Sequence, residues 1–399
     1  MYLLLFDIAN LIMVYIAYKL YCKQITPLFV LDSVYVLLIN INNLFVSHIY
    51  SFNRVENKTL LVLLEFNIVI FAVDCIFAKL YRSSRVVSFD YSIKFRNYKF
   101  INLLFIIGVV AYCINFGKMY QVYGMNAKGQ NNGVLGHLSS LAYVLGPVAL
   151  DLALKSAKKF RICITAVLNC VVLLVAILFG GKYVVFINMI YFLLYFMLKR
   201  ERKIELLKLF RLGVILLLVA VIVFIILYYF IPRMTGEYNS SLGFALEHMF
   251  YYLLSPIIAQ NYCVANIGLG DAKYPFAVFI NIFYVIIGNS NYIIPINRFI
   301  FPYASYGTTN VAGMIGELIY NLGIGNAIIY FGVFMFFVNL LYYQYRTKNR
   351  FYLSMCYVTS VLAFSFFSNF MSVSGVFFPL LFAMLVDVLS NCKIGSFHI

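Results

Sequence analysis

Apolar runs of about 20 residues, the length a helix needs to cross a hydrocarbon core, recur along nearly the whole chain. In lipid only helices and closed barrels satisfy every backbone polar group. The runs here are continuous rather than alternating, which excludes a barrel. Composition removes the alternatives. With 64% hydrophobic and 11% charged residues, the chain has too few charges to cover soluble domains, which carry about 25%. It is also far too apolar for disorder. The expectation is an all-α polytopic membrane protein with eleven spans, near 2–20, 28–47, 59–78, 100–117, 135–154, 162–179, 183–198, 212–231, 312–343, 351–371 and 375–391. Trp is absent, so Tyr must supply the interfacial aromatic belt. The first run lacks a basic flank and a small-residue cleavage site, so it is expected to persist as a span.

The net charge of +16 would suggest nucleic acid in a soluble protein, but here the cations sit in short loops between apolar runs. That is the pattern of cytoplasmic loops, and it excludes nucleic acid as a partner. Placing Lys79 to Lys99 inside also brings in Lys155 to Arg161, Lys199 to Arg211, and Arg346 to Arg350. The outer side then keeps Arg54, Lys58, Lys118, Lys128, Lys182, Arg233, Lys273 and Arg298. The N-terminus falls outside and the C-terminus inside. The eight cysteines include no CxxC pair and read as small core hydrophobes. No internal repeat of the kind found in transporters is evident.

The chain therefore divides into N-terminal helices (1–231), a long extracytoplasmic segment (232–311) and C-terminal helices (312–399). The segment's apolar runs, 250–260 and 276–287, are short and read as interfacial. A loop of this length is an obvious place for a site. It carries Arg233, Glu237, Glu247, His248, Asp271, Lys273 and Arg298. Each alone reads as a solvated charge. Together at a headgroup surface they offer arginines for a diphosphate and acids or histidine for a proton. Glu247 and His248 are adjacent, so on a helix they diverge by about 100° and need not form a pair. Two other constellations stand out. The turn Phe179-Gly180-Gly181-Lys182-Tyr183 leaves one cation at the outer surface, either a snorkelling lysine or a phosphate ligand. In residues 306–330, Gly313, Gly316, Gly323 and Gly325 punctuate a helix where close packing or a break is wanted. Glu317 there is either a helix-start acid favoured by the dipole or a functional carboxylate. Asp7, Asp32, Glu65 and Asp74 lie within early spans, as candidate proton relays or as acids facing polar neighbours.

The last constellation resembles a known family. Thr309-Asn310-Val311, Gly316-Glu317-Leu318 and Tyr320-Asn321-Leu322-Gly323, followed by a hydrophobic helix and a basic loop, are similar to the C-terminal signature of bacterial O-antigen and capsule repeat-unit polymerases (Wzy-type). Tyr251 to Pro256 with Gly268 and Gly270, and the hairpin at Gly180-Gly181-Lys182, add to the likeness. Lys182 stands where the family often has arginine, and Leu322 where it often has phenylalanine. The layout is shared from about residue 100 to 390.

The resemblance implies a glycosyltransferase that joins polyprenyl-diphosphate-linked oligosaccharide repeat units on the outer face of the bacterial cytoplasmic membrane. The growing chain leaves its carrier and passes to a sugar hydroxyl on a new lipid-linked unit. The lipid bilayer and the lipid-linked oligosaccharide are then its partners, with a flippase and a chain-length regulator as further candidates. Such a reaction asks for cations on the leaving diphosphate, here Lys182, Arg233 and Arg298, and for a proton acceptor, here Glu247, His248 or Glu317. The outer segment has no DxD-like acidic pair, so neither a metal nor another cofactor is expected. A lipid-linked-oligosaccharide flippase and an O-antigen ligase are the competing readings.

Overall fold

In a computed structural model the described residues are 2–21, 25–83, 98–124, 133–178, 182–200, 241–289, 292–295, 299–305, 307–348 and 350–391, with isolated positions between 218 and 229. Helices dominate. Among the described residues, eight are long and apolar enough to cross a membrane: Tyr2–Leu20, Pro27–Ile49, Asn57–Arg82, Lys99–Tyr123, Gly133–Lys155, Lys159–Leu178, Leu242–Ala265 and Gly313–Lys348. Shorter apolar helices cover Tyr183–Leu198, Tyr274–Ile286, Tyr352–Ala363 and Ser374–Leu389. The chain is thus a helical multi-pass membrane protein.

The expected count of eleven spans is not reproduced. The run at 212–231 lies largely outside the described residues. The run at 351–371 is α-helical only over Tyr352–Ala363, with a 3-10 turn at Phe370–Ser372. Beyond it, the Ser365 hydroxyl donates to the Leu362 carbonyl at 2.7 Å. Side-chain hydrogen bonds of this kind compete with helix continuation. One departure from a purely helical architecture is a two-stranded antiparallel hairpin, β1 (Phe301–Ala304) and β2 (Gly307–Thr309), with Phe301 opposite Thr309.

The chain falls into two compact units that cut across the sequence division. The first comprises Met1–Ser83, Lys203–Asn339 and Leu362–Ser372. The second comprises Ser84–Arg202, Leu340–Val361 and Val373–Ile399. In the second unit, Asp387 accepts from the Leu353 and Ser354 amides and the Ser354 hydroxyl, capping the Tyr352–Ala363 helix. Asp151 there accepts from the Tyr195 hydroxyl and pairs with Lys155.

In the first unit, three of the early acids are held by polar neighbours. Asn40 donates to Asp7 at 2.9 Å and Asn67 to Asp32 at 2.7 Å. Asp74 accepts from Asn339 at 2.8 Å and from the Leu28 amide at 3.2 Å, while Tyr21 donates to Asn339. A buried acid is tolerable only when paired in this way. The same contacts sort the helix ends of this unit. Leu20 accepts from Arg82, and Tyr21 stacks on Tyr81, at one end. At the other end Phe52 bridges to Ala304, and the Asn53 amide donates to the Tyr303 carbonyl. Arg54 and the 301–309 hairpin therefore share an end, away from Lys19 and Arg82.

The Leu242–Ala265 helix is longer than the short apolar run at 250–260 suggested, because Ser241 caps it upstream and accepts from the Phe244 amide at 3.0 Å. Its contacts nevertheless lay it across one end of the unit. The Tyr251 hydroxyl reaches Thr308 at 3.3 Å, and Asn261 donates to the Arg54 carbonyl at 2.7 Å. Those two positions are about 15 Å apart along a helix axis, yet both meet the same end.

Candidate functional site

The end that carries the hairpin holds a cleft of about 430 Å³, lined by Phe52, Phe244, Glu247, His248, Tyr251, Tyr252, Tyr303, Gly307 and Thr308. One helix supplies most of it, because spacings of three and four put Phe244, Glu247, His248 and Tyr251 on one face. The hairpin supplies the opposite wall. Gly307 permits this wall: a Cβ at that position would lie 2.5 Å from the Tyr303 ring, which folds over it.

Aromatic contacts make the walls continuous. His248 lies 5.3 Å from Phe244 in a stacked arrangement and 5.2 Å from Tyr252 edge-on. Tyr251 meets Tyr303 at 5.0 Å, and Tyr303 meets Phe52 edge-to-face at 5.3 Å. Such geometries add to the stability of the wall beyond simple burial. Glu247 is half-exposed and forms no hydrogen bond or ion pair among the described residues. The cleft thus combines flat ring faces and an imidazole with a carboxylate that has no hydrogen-bond partner among the described residues.

Glu247 and His248, which sequence left as possibly unrelated neighbours, share this cleft. Glu317 does not line it. Glu317 is 3% exposed and engaged on both oxygens. One accepts from the Ser368 hydroxyl at 2.8 Å and the Ala312 amide at 3.4 Å. The other accepts from the Asn369 amide at 3.1 Å. The Gly313 and Met314 amides donate to the Phe367 and Ser365 carbonyls. Together these bonds fasten the 365–369 turn to the start of the Gly313–Lys348 helix. That turn stacks Phe367 on the cleft residue Tyr252, with ring centroids 6.4 Å apart.

The glycines of 306–330 and those at 268 and 270 act together. Gly323 has φ 76° and ψ 165°, which breaks the helix. The break denies the Ile319 and Tyr320 carbonyls their usual i+4 donors. Gly268 and Gly270 donate to them instead, at 3.1 and 2.8 Å. Asn321 closes the joint: its amide nitrogen donates to the Glu317 carbonyl at 2.7 Å, and its oxygen accepts from the Asp271 amide at 2.9 Å. A Cβ at Gly270 would lie 2.4 Å from that oxygen.

Of the cations proposed for a diphosphate, Arg233 and Arg298 lie outside the described residues, as does the Lys182 side chain, although Lys182 begins the Lys182–Arg200 helix. A cation that sequence reasoning left in a short loop, Arg54, stands two residues from the cleft residue Phe52. Its turn is tightly held. Asn42 and Asn43 bracket Asn53 and Val55, and Asn261 bonds both the Arg54 carbonyl and the Glu56 amide. The guanidinium is exposed and donates to His48 at 2.6 Å, with no carboxylate pairing it among the described residues. Only the run of asparagines at 40, 42 and 43 hinted at this clamp. No group of three His, Cys, Asp or Glu is placed to share a metal among the described residues.

No family model, curated protein or solved structure matches the chain.

Proposed function

We propose that the chain is a membrane glycosyltransferase that polymerises polyprenyl-diphosphate-linked oligosaccharide repeat units into a surface polysaccharide. The observation that carries this reading is the cleft: a channel walled by aromatic rings, with Glu247 and His248 side by side and an uncompensated arginine close by. Ring faces suit the apolar faces of sugars, and a few convergent polar groups suit their hydroxyls. Two of the patches behind the resemblance, Gly268 with Gly270 and the stretch from Gly316 to Gly323, also meet at the Gly323 joint.

In this reading the acceptor hydroxyl attacks the anomeric carbon of the donor sugar as its bond to the diphosphate breaks. The hydroxyl proton passes to Glu247 or His248, and the leaving polyprenyl diphosphate carries away the negative charge. Arg54 joins Arg233 and Arg298 as a residue to stabilise that charge. Glu317 becomes a support for the wall rather than the base. The reaction takes place on the extracytoplasmic face.

The test is reconstitution of the purified chain in vesicles with a polyprenyl-diphosphate-linked repeat unit, read as a ladder of products on a gel. A ladder is expected, and it should vanish for Glu247→Gln combined with His248→Gln. Transfer of a preformed polymer to a lipid acceptor with no ladder would indicate a ligase instead. Movement of the intact unit across the bilayer without bond formation would indicate a flippase.

A further inference from the structure

Among the described residues, the acids of the apolar helices have partners, apart from Glu247 in the cleft and Glu65. Asp7, Asp32 and Asp74 are each held by asparagine, Asp151 by Tyr195 and Lys155, and Asp387 by Ser354. Glu65 has no hydrogen bond or ion pair among the described residues, and it is exposed. It lies on the 27-residue helix Asn57–Ser83, about 12 Å from its first residue at 1.5 Å per residue. With that helix centred in a hydrocarbon core of about 30 Å, the carboxylate sits on the order of 7 Å inside the apolar layer. Glutamate is too short to snorkel from there as a lysine would.

The surroundings of Glu65 are a stripe. Leu61, Ile68, Ala72 and Ile76 are exposed with it at spacings of three and four, the pattern of a helix-packing seam. Lipid alone satisfies the four apolar members, and Ala72 allows close approach of a second backbone. Lipid does not satisfy the carboxylate. An intramembrane charge without a partner is costly, and a cation or strong donor from a neighbouring helix removes that cost.

We infer that the Leu61–Ile76 face docks a membrane helix of a partner protein that brings an arginine or lysine to Glu65. The inference stands apart from the polysaccharide reading, because it concerns a face remote in sequence from the cleft helix and a readout of association alone. The full chain, labelled at an appended N-terminal tag, would be reconstituted in neutral phosphatidylcholine vesicles with acceptor-labelled single-span Leu/Ala peptides. The peptides carry Arg, Leu or Glu at the depth of Glu65, and energy transfer reports binding. The Arg peptide is expected to bind roughly 5- to 30-fold more tightly than the Leu peptide, the range for interhelical polar contacts. Glu65→Leu should abolish the difference, and Glu65→Gln should retain part of it. Equal binding of the Arg and Leu peptides to the native chain would overturn the inference. So would self-association of the chain that Glu65→Leu removes, since a second copy would then be the occupant.

Discussion

Two carboxylates that look alike in the sequence have opposite surroundings, and that contrast assigns them different work. Glu247 faces an open cleft with no hydrogen bond among the described residues, whereas Glu317 is buried with both oxygens occupied. Glu247→Gln should leave the melting temperature unchanged and slow turnover by about 10²–10⁴-fold, the range for a lost general base. Glu317→Ala strands the Ser368 hydroxyl and Asn369 amide, so it should cost about 1–3 kcal/mol of stability. Thermal melts in detergent separate the two cases. A Glu317→Ala protein that melts normally yet turns over as poorly as Glu247→Gln would return Glu317 to the chemistry. Asn339 makes a similar point for the early acids. Asn339→Leu removes one donor from Asp74 and the acceptor of the Tyr21 hydroxyl, so a loss of several degrees in melting temperature is expected. The sequence marked Asp74 as needing a partner, but a partner 265 positions away carries no local signal.

At the scale of elements, glycine decides how the Gly313–Lys348 helix serves the site. The spacing of Gly313, Gly316 and Gly323 announced a break or a close approach, and each does one or the other. Gly313 and Gly316 admit the Gln260 side chain, and Gly323 turns the chain at positive φ. Gly325 meets nothing within 4 Å, so its place in the same pattern has no packing reason. Gly323→Ala imposes strain at that φ and restores helical continuity, returning the Ile319 and Tyr320 carbonyls to the helix ladder. The Gly268 and Gly270 amides would lose their acceptors. Hydrogen exchange should then show these two amides unprotected in Gly323→Ala but protected in the native chain; unchanged protection would mean the loop is held by something other than the break. The hairpin was not legible beforehand. Its strands have four and three residues, and the Phe52 segment that extends them is some 250 positions upstream.

At the scale of the molecule, membrane sidedness is the property on which the proposed chemistry most depends. Apolar runs made the helical, multi-span character readable, and basic loops set an expected orientation, because both effects act over short stretches of chain. Contacts between distant segments then supply an independent constraint. Arg54 and the 301–309 hairpin share one end of their unit, so a single experiment locates both. In a background with the cysteines replaced by serine, Glu56→Cys and Thr308→Cys should react with a membrane-impermeant maleimide in intact spheroplasts. Arg82→Cys, from the end that holds Leu20, should react only after lysis. Reaction of Glu56→Cys without Thr308→Cys would break the shared end itself. If both stayed silent until lysis, the cleft would face the cytoplasm, and a donor presented on the outer leaflet could not reach Glu247 or His248.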